Sequence, residues 1–187
     1  EILIPQEVCG VRVEDPYRIV SLRDGTELSC HALVVTSGVD VRRLDAPGVE
    51  RLTGAGIYYG AAVSEAAYYR NEPVFVIGGA NSAGQGAMFF SRYASQVTML
   101  VRGSALIRGM SQYLVNQINS NPKIDVLLRT ELVEAHGENR LEAITYTNRD
   151  TGETQTDPAA ALFIFIGAVP HTEMVAGLVQ CNNAGFI

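Results

Sequence analysis

The sequence predicts an α/β fold in three layers, which combines a parallel sheet, helices and an antiparallel β-meander. The apolar strand Val74–Ile77 runs into Gly78, a helical pattern follows from Ser82 to Ala94, and a second strand, Gln96–Val101, comes at once. A strand, a helix and a strand within this length form a βαβ unit with parallel strands. The buried strand Leu162–Ile166 then closes the domain. These observations together predict a Rossmann-like domain.

The segment before this domain reads as a second, smaller β-structure. Short alternating stretches between Val8 and Thr36, with a turn signal at Arg23–Thr26, predict a β-meander that ends in the apolar strand Ala32–Val35. The glycine-rich and proline-containing stretch Arg42–Gly56 indicates a linker. We therefore place a domain boundary between Gly38 and Glu72.

The segment after the βαβ unit continues the same domain. A helix near Met110–Ser120 has apolar residues every fourth position and ends before Pro122, and strand Ile124–Leu128 follows. Three short strands then predict an antiparallel meander. They are Leu132–Ala135, Leu141–Thr147 and Thr154–Thr156.

Composition excludes several classes of function. The net charge is −6 and the basic residues are scattered, which disfavours nucleic acid or an anionic membrane as a partner. No apolar run approaches the roughly 20 residues that span a bilayer, and the first residues show no secretory leader. Lys123 is the one lysine, so a phosphate-loop lysine is excluded and Schiff-base chemistry is disfavoured. We expect a soluble, cytoplasmic protein.

A glycine-containing turn between strand and helix carries the main functional signal. In Gly78-Gly79-Ala80-Asn81-Ser82-Ala83, backbone amides and a helix N-terminus converge where a pyrophosphate would bind. The dinucleotide fingerprint is G-x-G-x-x-G/A, and Gly78 and Ala83 fill its first and third positions. Ala80 stands at the second, where the missing side chain lets the backbone approach the phosphate. We expect this methyl group to weaken nucleotide binding.

The end of the second strand indicates which nucleotide binds. NAD enzymes usually carry an acidic residue there, whereas an arginine accommodates the 2′-phosphate of NADP. Leu100-Val101-Arg102-Gly103-Ser104 contains no acid. We predict that Arg102 faces the 2′-phosphate, with Gly103 beside it and with Ser104 and Arg108 as helpers, so that NADPH is preferred over NADH. A solvated surface arginine is the alternative interpretation of Arg102.

No other residue presents a catalytic or metal-binding pattern. The three cysteines form no C-x-x-C, and the three histidines have no ligand at metal-binding spacing. Tyr113 with Gln117 lacks the Tyr-x-x-x-Lys pair of short-chain dehydrogenases. An S-adenosylmethionine site usually has an acid after the second strand, which is absent. The tyrosines around Tyr58 and Tyr69 are expected to pack between domains, or else to cover a flavin. We assign neither a catalytic base nor a metal.

A longer stretch resembles thioredoxin reductases and their relatives. It comprises residues 69–87, 91–97 and 100–103, with Val34–Gly38 and Leu44 to Gly48 similar to the end of the first flavin-domain segment. Gly167-Ala168-Val169-Pro170-His171-Thr172 is similar to the family's G-x-x-P-x-T crossing, and this similarity adds Gly167 to the cofactor-binding residues. The resemblance implies an NADPH domain inserted into an FAD domain, with hydride passing from NAD(P)H to the flavin.

The sequence departs from that family in two ways, which concern the redox-active cysteines and the flavin-binding motifs. Thioredoxin reductases carry a Cys-x-x-Cys pair shortly before the Val74 strand, whereas Gly60–Ala66 contains no thiol, so a dithiol relay from this segment is excluded. Neither a flavin-type G-x-G-x-x-G nor a terminal Gly-Asp occurs between Glu1 and Ile187. We therefore expect an excised or truncated piece, inactive alone, in which FAD belongs to the intact protein only.

The resemblance divides the chain into four parts. Residues 1–51 end the first FAD-domain segment, 52–72 form a linker, 73–170 bind NAD(P)H, and 171–187 begin the returning FAD-domain segment. The electron acceptor stays unknown, and a homodimer of the intact protein stays open. The alternative function is a non-catalytic NAD(P)H-sensing or electron-transfer partner module, which Ala80 and the missing cysteines favour.

Overall fold

The computed structural model describes residues 2–60 and 65–187, which form two compact units. One unit runs up to Arg42 and resumes at Gly167, and the other comprises Arg43–Ile166. The described residues form thirteen strands and three α-helices. In chain order these are β1 (Val8–Glu14), β2 (Tyr17–Leu22), β3 (Glu27–Cys30), β4 (Val39–Val41), α1 (Val49–Leu52), β5 (Ile57–Tyr59), β6 (Pro73–Ile77), α2 (Asn81–Phe90), β7 (Gln96–Val101), α3 (Gln112–Asn119), β8 (Ile124–Leu128), β9 (Thr130–His136), β10 (Ala143–Asn148), β11 (Thr154–Pro158), β12 (Ala161–Ile164) and β13 (Ala168–Pro170).

The first unit contains the predicted N-terminal meander. Strands β1, β2 and β3 are antiparallel neighbours, and β2 buries Ile19, Val20 and Leu22. A separate antiparallel pair joins β4 to β13. The predicted strand Ala32–Val35 is wrong as secondary structure, because no strand of the described residues pairs with it and Val34 is 84% exposed.

The second unit is built on a five-stranded parallel sheet. Its order is β5-β12-β6-β7-β8, so the chain crosses from β6 to β7 through α2 and from β7 to β8 through α3. The sequence places residues 52–72 in a linker, whereas here β5 forms the edge of the sheet beside β12. Three residues are too few for a period-2 pattern to appear in sequence, and their partner strand lies about 100 residues further along.

Helices cover one face of this sheet. Side chains of α2 and α3 pack on Val74 and Val76 of β6 and on Met99 of β7. At the centre, the rings of Phe90 and Phe163 stack with centroids 3.8 Å apart. The predicted helix Ser82 to Ala94 ends earlier, at Phe90, because residues 91–95 form a turn.

The second meander covers the opposite face. Strands β9, β10 and β11 are antiparallel, as the sequence predicts, with β10 in the middle. Ile144 and Tyr146 of β10 pack on Phe75, Leu162 and other inner residues of the sheet. The result is the predicted three-layer arrangement of helices, parallel sheet and meander. No helix of the described residues is long and apolar enough to cross a membrane.

Candidate nucleotide-binding site

The turn after β6 requires glycine at its first position. Gly78 has a φ of +143°, a conformation that side chains rarely adopt. A Cβ there would lie 2.5 Å from the carbonyl oxygen of Phe165 and 2.8 Å from the Cβ of Ala83. The first fingerprint glycine therefore allows β6, α2 and the segment after β12 to approach closely.

Gly79 and Ala80 connect the turn to α2. A Cβ at Gly79 would lie 2.8 Å from Cγ1 of Val101, so the turn also rests against the end of β7. Ala80 has an extended backbone, with φ −106° and ψ 178°, and is exposed at the N-terminus of α2. Its methyl group is thus accommodated without backbone strain. Its effect on nucleotide affinity stays a prediction.

The first turn of α2 presents backbone donors. The first amides of a helix have no carbonyl partner within it, and no side chain caps this N-terminus. Ser82 is exposed there, whereas Ala83 is fully buried against the sheet. The donors and the positive end of the helix dipole suit an anionic group.

Asn81 has a second structural role that the sequence did not reveal. Its side-chain Oδ1 accepts a hydrogen bond of 2.9 Å from the backbone amide of Ser111, which precedes α3. The same loop comes close at Gly109, where a Cβ would lie 3.1 Å from the carbonyl oxygen of Gly79. The loop between β7 and α3 is therefore held against the glycine turn.

Arg102 lies at the same edge of the sheet as the glycine turn. It follows β7 directly, as Gly78 follows β6, and Ile77 and Leu100 are paired in these parallel strands. Arg102 is exposed, and among the described residues no carboxylate forms an ion pair with it. Ser104 is half-buried, and Arg108 is exposed at the end of a short 3-10 turn.

Two further arginines share a cleft with Arg102. The cleft has a volume of about 280 Å³ and is lined by Arg102, Arg129, Arg149 and Asp150. Arg108 and Ser104 are not among its lining residues. Sequence reasoning missed Arg129 and Arg149. The available signal was that Arg129 directly follows β8, as Arg102 directly follows β7.

Gly167 belongs to the other compact unit. Its φ is +93°, and its carbonyl oxygen accepts a hydrogen bond of 3.0 Å from the amide of Arg42. This contact joins the two chain segments of that unit. A role for Gly167 in cofactor binding stays a prediction.

The aromatic group near β5 packs within the second unit. Tyr58 stacks on Phe163 with ring centroids 5.4 Å apart, and its hydroxyl lies 2.9 Å from that of Tyr69. Burial and this hydrogen bond raise the pKa of Tyr69 above its ordinary value. Tyr58 and Tyr69 thus pack inside this unit and not between domains, whereas Tyr68 is 82% exposed. Of the thiol-free stretch at Gly60–Ala66, residues 61–64 lie outside the described residues.

The histidines have separate partners. His31 packs on Tyr17, His136 lies 2.6 Å from the hydroxyl of Thr145, and His171 lies 3.5 Å from Asp40. Across residues 2–60 and 65–187, no three His, Cys, Asp or Glu side chains converge in an arrangement that could hold a metal ion.

A glycine turn between β6 and α2, with an arginine at the end of the neighbouring parallel strand, is the arrangement of a Rossmann-like fold. The family model for pyridine nucleotide-disulphide oxidoreductases matches residues 3–187, and the chain belongs to that family. Within it the chain is thioredoxin reductase-like, as the sequence resemblance predicts.

Individual relatives agree with this assignment. The thioredoxin reductase of Streptomyces clavuligerus is 30% identical over 185 residues, covering 99% of this chain and 56% of the relative. Thioredoxin reductase 1 of Saccharomyces cerevisiae is 35% identical over 167 residues, with 88% and 51% covered. The crystal structure of Lactococcus lactis thioredoxin reductase superposes with a TM-score of 0.78 at 27% identity, covering 97% of this chain and 59% of that one. The chain thus spans little more than half the length of these relatives.

Proposed function

We propose that this chain is the NADPH-binding portion of a thioredoxin reductase-like, FAD-dependent oxidoreductase. The observation that carries the proposal is that the glycine turn and Arg102 follow the adjacent parallel strands β6 and β7 at the same edge of the sheet. In this proposal the backbone of Gly78–Ala83 and the Ser82 hydroxyl hold the pyrophosphate. Bound NADPH would supply the hydride, which in the intact enzyme passes to FAD.

Residues at this edge fit NADPH better than NADH. Among the described residues no carboxylate forms an ion pair with Arg102, since Asp150 in the same cleft pairs with Arg129, and no acidic residue follows β7 directly to bind the ribose hydroxyls. A guanidinium group binds a phosphate by charge and by paired hydrogen bonds. Arg102 would therefore discriminate between the two cofactors at the 2′ position.

We propose that the side chain of Asn81 does not bind the pyrophosphate directly. Because its Oδ1 already accepts the Ser111 amide, it supports the pyrophosphate site by fixing the adjacent loop. The backbone amide of Asn81 lies in the first turn of α2 and remains one of the donors at the helix N-terminus. We propose Ser104 and Arg108 as weaker contributors, since neither lines the cleft beside Arg102.

We propose no flavin site for the residues of this chain alone. The sequence has one strand–turn–helix fingerprint, at Gly78–Ala83, and a single site of this kind serves one dinucleotide. No step through FAD is therefore assigned to these residues. The sequence between Gly60 and Ala66 contains no thiol, so we propose no dithiol relay there.

We propose NADP(H) as the small-molecule partner, a cytoplasmic location, and no role for nucleic acid, which the net charge of −6 disfavours. The non-catalytic sensing alternative is not favoured, because the similar proteins described above are thioredoxin reductases.

Calorimetric titration of the chain with NADPH and with NADH tests the proposal. We expect tighter binding of NADPH, loss of about tenfold or more of that affinity in Arg102→Gln, and little change for NADH. Arg92→Gln is the matched control, because Arg92 is exposed at the opposite end of α2. Equal affinity for both nucleotides, or no binding of either, would refute NADPH recognition. A yellow purified protein would refute the absence of FAD.

A further inference from the structure

Three arginines from three separate loops line the cleft beyond β7. Arg102 follows β7, Arg129 follows β8, and Arg149 follows β10. Val101 and Leu128 are paired in the parallel sheet, so Arg102 and Arg129 are the next residues at the same edge. The sheet itself therefore places two guanidinium-bearing residues side by side.

Backbone hydrogen bonds fix these three loops to one another. The amide of Arg129 donates to the carbonyl oxygen of Gly103 at 3.0 Å, and the amide of Arg149 donates to the carbonyl oxygen of Arg129 at 2.7 Å. The loop that carries Arg102 is thereby connected through Arg129 to the second meander, which consists of β9, β10 and β11. Main-chain hydrogen bonds therefore hold the three loops that carry these arginines next to one another.

Arg129 adopts an uncommon backbone conformation. Its φ is 53°, in the left-handed region that glycine and asparagine occupy more readily than arginine. The residue is exposed, so its side chain is not retained there for core packing. A charged side chain at a strained position suggests a role for the charge.

Carboxylates only partly neutralise the cluster. Asp150 binds Arg129, with Oδ2 at 3.0 Å from Nε, and Glu131 lies 3.4 Å from Nε of Arg149. All four side chains are about half exposed, so these pairs contribute little stability and exchange easily. Arg102 adds a third positive charge. A phosphate monoester, with a charge near −2 at neutral pH, can therefore compete with Asp150 for Arg129.

We propose that Arg129 and Arg149 form the second wall of a 2′-phosphate pocket whose first wall is Arg102. This inference rests on the proposed NADPH site and extends it to a loop and a meander that carry no recognised nucleotide motif. Asp150 acts as a resident counter-ion that the bound phosphate displaces. The specificity for NADPH is thus shared between the βαβ unit and the meander.

The test measures affinities of the full chain for NADPH, NADH and adenosine 2′,5′-bisphosphate. Arg129→Asn removes the charge and keeps a residue that tolerates a left-handed backbone. We expect Arg129→Asn and Arg149→Gln each to weaken NADPH and the bisphosphate by about tenfold, with NADH within about twofold of the unaltered chain. Arg129→Lys should retain part of the affinity. Asp150→Asn should strengthen NADPH binding.

The outcomes separate this inference from the proposed function. If Arg102→Gln abolishes the NADPH preference while Arg129→Asn and Arg149→Gln bind like the unaltered chain, the second wall is refuted and the proposed function stands. If both variants weaken NADH as much as NADPH, the arginines act only on structure and the inference is again refuted. An unaltered chain without NADPH preference refutes the proposed function itself. Circular dichroism melting of each variant verifies folding.

Discussion

The side-chain oxygen of Asn81 accepts a hydrogen bond of 2.9 Å from the backbone amide of Ser111. The two residues are 30 positions apart, one in the first turn of α2 and the other immediately before α3. This bond connects the two helices that follow β6 and β7. Residues 102–110, which include Arg102, lie between the connected points.

Removing this connection should affect both stability and binding. Asn81→Ala leaves the Ser111 amide without its acceptor, and we expect a loss of about 1 kcal/mol in the free energy of unfolding, measured by urea denaturation. NADPH affinity should fall as the loop becomes less ordered. Asn116→Ala is the control, since the Asn116 side chain is exposed on α3 and accepts a hydrogen bond from Gln112 of the same helix, and it should change neither quantity. Equal effects of both variants would contradict a specific role for the Asn81 bond.

Gly78 should be the least replaceable residue of the turn. Gly78→Ala combines an unfavourable φ with a contact of 2.5 Å to the Phe165 carbonyl oxygen, and we expect at least about 2 kcal/mol of destabilisation in urea. Gly152 is a matched control because its φ is +71° but its Cβ would meet nothing within 4 Å. Gly152→Ala should cost about 1 kcal/mol. If the two substitutions cost the same, the close approach to Phe165 does not demand glycine.

The stacked pair Phe90 and Phe163 should dominate the helix-side core. Both rings are at most 1% exposed, so Phe163→Ala leaves a cavity between α2 and the sheet. We expect a loss of about 3–5 kcal/mol in the free energy of unfolding. Tyr113→Ala on the exposed face of α3 should change it by less than about 0.5 kcal/mol. A small loss for Phe163→Ala would mean that this core collapses around the cavity.

Tyr146 should make the fold sensitive to alkaline pH. Burial and a hydrogen bond of 2.5 Å to Asp157 raise the pKa of Tyr146 above its ordinary value of about 10. The unfolded chain therefore loses this proton first, so the stabilisation is complete below about pH 10 and declines as pH rises further.

The measurement is the free energy of unfolding between about pH 8 and 11. Tyr146→Phe removes the titrating group, so its stability should decline less steeply than that of the unaltered chain. Tyr113→Phe, which removes a hydroxyl from the exposed face of α3, is the matched control. A Tyr146→Phe slope equal to that of the unaltered chain would refute the assignment.

Long, regular patterns were predictable from sequence. The apolar strand before Gly78, the helical period after it and the alternation of the second meander each reflect local preferences that a short window contains. The thioredoxin reductase-like class followed from the same residues, and the family match confirms it. The positions of strands were predicted less well where a strand depends on a partner that is distant in the sequence. Ile57–Tyr59 forms an edge strand, although its sequence predicts a linker. Ala32–Val35 has the sequence pattern of a strand, but no strand of the described residues pairs with it.

The α/β class, the glycine turn at Gly78 and the arginine after β7 follow from the sequence alone, because these features depend on local backbone requirements and on hydrophobic period. Only the tertiary structure brought Arg129 and Arg149 to Arg102 and joined Asn81 to Ser111. Those neighbours come from loops 20 to 47 residues apart, and parallel pairing of β7 with β8 decides which loop ends meet. Sheet order is a property of long-range packing, and no short stretch of sequence encodes it.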